Sequence, residues 1–169
     1  GELDLENAFA KSCNGAFASM ARRLDVSAFQ RLTKELLFDS ELPLTFPYSK
    51  SSFGLEEDDS EAIRMMIGIG QGDTLVTPMH MTMLTSAIAN DGVLMVPRFL
   101  ERTESYTGAL VEEYGTQTYG NLMSAEEAAV LQDYMEAVVE EGTATALQSD
   151  SYTAAGKTGT AEYSSNKNQ

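Results

Sequence analysis

Apolar positions recur at helical spacing through most of the chain and at strand spacing in one region only, which predicts a helix-rich molecule with a little sheet. Leu3, Leu5, Ala8 and Phe9 share one helical face that runs into Lys11, Ser12 and Cys13. Asn14 reads as the N-cap of a second helix starting at Gly15, whose Phe17, Met20, Ala21 and Leu24 fall at i, i+3, i+4 and i+7. Ser27 with Gln30 reads as a capping box, and Phe29, Leu32 and Leu36 give a third helix its stripe, ending near Phe38. Pro43, Pro47, serines and an acidic run at 56–59 then predict a long surface loop over 39–60, with the acids as solvated charge.

A short helix over 61–67 leads into Gly68-Ile69-Gly70-Gln71-Gly72, where alternating glycines let the chain turn sharply. This is no dinucleotide fingerprint, because position 73 is Asp73 and no strand precedes it. Thr77-Pro78 is a strong helix start, with Met79, Met83 and Ala87 on one face and Ile88 beside it. That helix is expected to be buried around much of its circumference and to stop at Asn90-Asp91-Gly92, with His80 in its first turn structural rather than catalytic. Stretches 93–96, 98–102 and 109–111 read as short strands or a hairpin with Gly108 in a turn, and 114–119 is ambiguous. Ser124 with Glu127 forms a second capping box, and Leu131, Met135, Val138 and Val139 pattern a helix ending at Gly142. One more turn is expected over 143–147, after which 149–153 lead into the last segment.

With 169 residues the chain is one domain or a large part of one, long enough to bury a core. Its 11 basic against 26 acidic residues give a net charge of −15, which disfavours nucleic acid and anionic membranes as partners. Cys13 is the one cysteine, so no internal disulfide can form. No apolar run reaches membrane-span length, and 1–6 lacks a signal-peptide layout. The nine methionines read as adaptable core filler, since no His/Cys/Asp cluster with ligand spacing accompanies them.

Candidate chemistry gathers at two places. Ala155-Gly156-Lys157-Thr158-Gly159-Thr160-Ala161-Glu162 concentrates a cation, two hydroxyls and two glycines, which suits recognition of an anion. As an extended edge it would send Lys157 and Gly159 to one face and Thr158 and Thr160 to the other, with Gly159 letting a ligand approach the backbone. A phosphate-binding loop fails on spacing, because the required glycine is Ser151. Ser12 and Asn14 occupy a helix–helix corner where free N–H groups are available to polar chemistry. On these residues alone, a plain Gly/Thr turn at the late segment and a purely capping role at the early corner stay open.

Taken together these elements resemble penicillin-binding proteins. Ser12-Cys13-Asn14 is similar to their Ser-x-Asn element and Lys157-Thr158-Gly159 to their Lys-Thr-Gly element. Between them, Gly70-Gln71-Gly72, Thr77-Pro78, Ala89-Asn90-Asp91-Gly92, Pro97 and Gly142-Thr143-Ala144 resemble the class B, monofunctional transpeptidases, with the likeness weakest over 39–59. The resemblance implies an α+β fold: the helix-rich part of a penicillin-binding protein/serine β-lactamase-like domain, with an incomplete antiparallel sheet. In such proteins a Ser-x-x-Lys element carrying the nucleophile precedes Ser-x-Asn, and nothing before Ser12 provides it; Ser164-Ser165-Asn166-Lys167 has the letters but comes too late and reads as coincidence. Residues 1–169 are therefore expected to be an internal fragment of a larger transpeptidase, cut at both ends, holding a helical subdomain and the start of the Lys-Thr-Gly strand.

By the same resemblance, the parent acylates its serine with the D-alanyl-D-alanine end of a peptidoglycan stem peptide, and β-lactam antibiotics mimic that donor. Ser12, Asn14 and Lys157 would be catalytic, and Thr158, Gly159 and Thr160 would bind substrate, with no cofactor and no metal. The parent would sit on the extracytoplasmic face of a bacterial membrane, anchored outside this chain, while the fragment alone would be inactive and prone to self-association or strand exchange through apolar sheet edges and the face of the helix from Pro78 to Ala89. A penicillin sensor or serine β-lactamase shares the fold, and a non-catalytic helical interaction module is the alternative from another class. Convergence of Ser12, Asn14 and the Lys157 ammonium on one cleft separates the chemical readings from the last.

Overall fold

Three helix ends, all built by the same local device, set corners of this molecule. A computed structural model describes residues 3–160; the 164–167 quartet and the last two residues of the 155–162 segment lie outside the described residues. The first helix, α1 (Leu5–Ala10), is capped by Asp4, whose carboxylate accepts from the Asn7 N–H at 2.8 Å. It ends in a Schellman motif: the Cys13 N–H reaches the Ala8 carbonyl, the Ser12 N–H reaches Phe9, and Ser12 takes a left-handed φ of 51°. The next helices, α2 (Asn14–Ala21), α3 (Val26–Glu35) and α4 (Glu61–Gly68), follow. Both α3 and α4 close in the same way, with Leu37 (φ 69°) and Gly70 (φ 77°) at the left-handed position.

Two expected caps move. The residue before α2 is Cys13, with no side-chain cap bond, and Asn14 is the first helical residue rather than the N-cap. Leu24 lies beyond the end of that helix. At α3 the cap is Asp25, not Ser27: its carboxylate takes the Ala28 N–H at 2.7 Å, and the Ser27 hydroxyl donates to the same carboxylate at 2.8 Å. A charged acceptor is the better match to the positive end of a helix, so the aspartate displaces the serine. This helix stops at Glu35, before the expected Phe38.

The 39–60 segment is a long loop, yet it is anchored rather than merely draped on the surface. Leu42, Ser51 and Leu55 are buried in it, and Ser52 forms a bridge to Leu75 through N–H···O bonds of 2.8 and 2.9 Å. The Ser51 hydroxyl accepts the Thr77 N–H at 3.1 Å, which fixes where α5 (Pro78–Ala89) begins. Thr77 caps that helix and Pro78 is its first residue, where a missing N–H costs nothing. Its burial is narrower than expected: His80, Met83 and Ala87 form one buried stripe, while Met81, Thr82, Thr85, Ser86 and Ala89 are exposed. His80 is fully buried, in hydrogen-bond contact with the Leu36 carbonyl at 2.7 Å and with its ring tilted against that of Phe38, a structural setting.

The sheet is two separate antiparallel ribbons. β1 (Val93–Met95) pairs with β4 (Thr118–Asn121), and β2 (Arg102–Glu104) pairs with β3 (Leu110–Glu113) across a turn holding Gly108 at φ 81°. Of the expected 98–102 strand only Arg102 is in a strand, because Pro97, which has no N–H to donate, interrupts the run after the Val96 N–H has reached the Gln117 carbonyl. The ambiguous 114–119 region supplies the start of β1's true partner. Finally α6 (Ala125–Glu140) carries the full capping box, with Glu127 accepting from the Ser124 N–H at 2.8 Å, and a 3-10 turn follows at Thr145–Leu147.

Leu37, Leu42, Met83, Ala87, Leu94 and Leu122 form one core, joining the loop after α3 to α5 and the first ribbon. A second, of Val138, Val139 and Ala144 with Phe9 and Ala154 against it, lies where α1 meets the end of α6. No helix among the described residues is long and apolar enough to cross a membrane.

Candidate functional site

The second core has the early and late polar segments directly above it. Gly142 follows α6 so closely against α1 that a Cβ there would stand 2.2 Å from the Ala10 carbonyl oxygen and 2.8 Å from the Val138 Cα. The Thr143 N–H donates to that same Ala10 oxygen at 3.1 Å. The last residue of α1, two before Ser12, is thereby tied to the end of α6. The late segment comes back over α6, where the Gly156 N–H donates to the Met135 carbonyl at 3.0 Å. It is not in a strand: among the described residues no strand pairs with it, so the expected start of a Lys-Thr-Gly strand is unladdered chain.

These attachments bring the two segments into contact. The Lys157 ammonium donates to Ser12 Oγ at 2.8 Å, although the residues are 145 apart in sequence, and it also donates to the Thr158 carbonyl at 3.1 Å. It stands 5.5 Å from the centre of the Phe9 ring, which is itself braced by Phe17 and Tyr134 at 6.2 and 5.8 Å between centroids. Lys157 is exposed along its length, but the ammonium end is partly removed from water, and this lowers its pKa below the ordinary lysine value.

Ser12, Asn14, Lys157, Thr158, Gly159 and Thr160 all border one open cavity of about 710 Å³, with Lys11, Phe9, Phe17, Gly68, Ile69 and Thr143 completing its wall. Thus the six residues expected to be catalytic or substrate-binding all border one cavity. Alternation along 157–160 separates partners rather than surroundings: Lys157 reaches Ser12, whereas Thr158 Oγ1 lies 2.6 Å from Thr143 Oγ1, yet all four residues line the same space. Because Asn14 does not cap α2, its amide is not consumed by the helix end. The backbone of Ser12 is in a conformation usually left to glycine, so a side chain is kept there at a conformational cost.

Electrostatically the cavity is the opposite of its host. Among the described residues lining it are two lysines and no acid, in a chain of net charge −15. Such a site attracts an anion and supplies hydroxyl and amide groups to orient it. Sequence reasoning had not assigned Phe9, Lys11 or Thr143 to the site. Thr143 was visible within Gly142-Thr143-Ala144 but carried no role, and Phe9 was indistinguishable from any other residue on the apolar face of α1.

Comparison with known proteins bears on the family and the fold. Residues 1–169 match the family described as penicillin binding protein transpeptidase domain. The chain is 30% identical over 168 residues to penicillin-binding protein 3 of Bacillus subtilis, covering 98% of this chain and 24% of that protein. It is 29% identical to the peptidoglycan D,D-transpeptidase PbpA of Mycolicibacterium smegmatis, over 95% of this chain and 32% of that one. The chain therefore spans about a quarter to a third of the length of these relatives. Among solved structures, the D,D-transpeptidase domain of a peptidoglycan glycosyltransferase from Eggerthella lenta superposes with a TM-score of 0.87 at 26% identity, over 98% of this chain and 43% of that one. The penicillin G acyl-enzyme complex of penicillin-binding protein A from M. tuberculosis gives 0.74 at 27%, over 84% and 34%. The α+β architecture, the paired polar segments and the match along the whole sequence place this chain in the penicillin-binding protein transpeptidase domain family.

Proposed function

We propose that this chain forms two walls of the acyl-transfer pocket of a D-alanyl-D-alanine transpeptidase, a longer protein whose attacking serine lies outside residues 1–169. The observation that carries the reading is the Lys157 ammonium on Ser12 Oγ at 2.8 Å, in a cavity that Asn14, Thr158 and Thr160 share. The donor's terminal carboxylate would meet Lys157 and the hydroxyls of Thr158 and Thr160, while the Asn14 amide, donor and acceptor at once, would hold the donor peptide. When the serine attacks, the Thr160 N–H would be one of two donors to the oxyanion, a contribution typically of ~3 kcal/mol.

The leaving D-alanine amine needs a proton as its C–N bond breaks. Since Lys157 donates to Ser12 Oγ, the Ser12 proton is free to point into the cavity and be given to that amine. An ammonium of lowered pKa then restores it more readily than an ordinary lysine, and regains its charge from the proton that the attacking serine gives up. The acyl group passes to an amine on a neighbouring strand, or stays on the serine when a penicillin has taken the donor's place. Labelling the longer protein with a fluorescent penicillin tests this: Lys157→Ala should slow acylation at least tenfold, and equal labelling of the two proteins would sink the reading.

The convergence of Ser12 and Lys157 favours this chemistry over a helical interaction module. A sensor or β-lactamase would share the pocket, and rapid release of hydrolysed drug would identify the latter. We place the parent on the extracytoplasmic face of the cell membrane, with peptidoglycan stem peptides and β-lactams as its ligands. This chain alone should take up no label. It should also self-associate through the apolar groove of about 680 Å³ between α1, α3 and α6, where Leu5, Leu32 and Val130 are each about half exposed. A concentration-independent monomer in sedimentation would contradict this.

A further inference from the structure

We infer that Thr143 is a positioning residue of the anion pocket, acting through Thr158; this rests on the functional reading above. Each residue of Gly142-Thr143-Ala144 has a distinct attachment. Gly142 lies flush on the backbone of Ala10 and Val138, with no room for a Cβ. The Thr143 N–H is bonded to the Ala10 carbonyl, one of the end carbonyls of α1 that no intrahelical donor can reach. Ala144 is buried, and its N–H donates to the Val138 carbonyl at 3.0 Å. Thr143 therefore sits on a fixed backbone, facing the cavity it lines.

Its hydroxyl is 2.6 Å from that of Thr158. A hydroxyl has one proton and two lone pairs, so one of the pair donates and the other accepts. If Thr143 donates, Thr158 keeps its own proton for the cavity, and a carboxylate there completes a chain from Thr143 to Thr158 to the anion. Each bond in such a chain polarises the next. The opposite direction would spend the Thr158 proton on Thr143 and leave only lone pairs toward an anion. A bound carboxylate selects the first arrangement, and Thr143 makes it available. The ammonium of Lys157 holds the Thr158 carbonyl at the same time, so Thr158 is fixed at both its main chain and its side chain. The same two threonines link the early and late walls: Thr143 is bonded to α1 through its main chain and to the late segment through its side chain.

The test compares acylation of the longer protein by benzylpenicillin and by its methyl ester, which lacks the carboxylate. In wild type the acid should react faster than the ester. Thr143→Val and Thr143→Ala should each reduce the acid-to-ester ratio about tenfold, the upper end of what one hydrogen bond between uncharged groups contributes. Thr143→Ser should keep the ratio within about threefold of wild type, since the hydroxyl remains. A merely structural role would slow both compounds alike and leave the ratio unchanged, and that result overturns the inference, as does a Thr143→Ser ratio as low as that of Thr143→Val. Wild-type protein that reacts with neither compound overturns the functional reading and the inference with it; wild-type protein that prefers the acid, with an unaltered ratio in Thr143→Val, overturns the inference alone.

Discussion

Replacing Ser12 separates what its backbone costs from what its hydroxyl contributes. Ser12 sits at the left-handed residue of the α1 terminus with φ 51°, and such a conformation costs a residue with a Cβ roughly 1–2 kcal/mol. Glycine avoids that penalty but gives up roughly 0.5–1 kcal/mol to the greater freedom of the unfolded chain. Ser12→Ala keeps the strain and loses the hydroxyl; Ser12→Gly loses both. The bond from Lys157 disappears in each variant, so it cancels in the comparison. Ser12→Gly should therefore be more stable than Ser12→Ala by about 1 kcal/mol, or roughly 2–4 °C in melting temperature for a chain of this size. Urea unfolding followed by circular dichroism measures the difference directly. In the longer protein both variants should lose penicillin acylation alike, because proton delivery depends on the hydroxyl and not on the backbone. Equal stability of the two variants would refute the claim that strain is held at this corner. Acylation by Ser12→Gly at the wild-type rate would remove Ser12 from the chemistry.

Gly142→Ala should destabilise the chain by about 2–3 kcal/mol, because the new methyl meets only main-chain atoms at Ala10 and Val138 and the helix ends must part; thermal melts check this. The Asp4, Asp25 and Glu127 carboxylates accept helix N-terminal N–H groups first and neighbouring side chains second, and each pKa is held below its ordinary value. Their contribution is present above the ordinary carboxylate range and is lost as pH falls through the depressed folded values. Melting temperature should thus decline in acid, and Glu127→Gln should flatten part of that decline; an unchanged slope would contradict the capping account. Loss of the Lys157 charge should put the alkaline limb of penicillin acylation below the ordinary lysine range, as a pH profile of the rate can show.

Much of the site was legible because its chemistry sits in short, compositionally unusual segments. Lys157, Thr158 and Ser12 stand out against apolar periodicity, and the Thr77-Pro78 start and the Ser124–Glu127 box are local events decided within four residues. What pattern could not supply was competition and distance. Ser27 looked like a cap until Asp25 offered a charged acceptor two residues earlier. The 93–95 strand lies next to a plausible local partner, but Pro97 breaks the run and the true partner is more than twenty residues on. Thr143 and Phe9 join the site only because Gly142 brings α6 against α1, a contact visible in no window of sequence. The buried side chains of the 39–60 loop were hidden for a related reason: its prolines and serines mark irregular backbone, not exposure.

As proposed, this chain walls an acyl-transfer pocket and does not carry its nucleophile. Peptide mapping by mass spectrometry after benzylpenicillin treatment of the longer protein tests it most directly. One penicilloyl adduct is expected, on a serine outside residues 1–169 within a Ser-x-x-Lys element, and none on this chain when it is treated alone. An adduct on Ser12 or Ser164, in either protein, would contradict it.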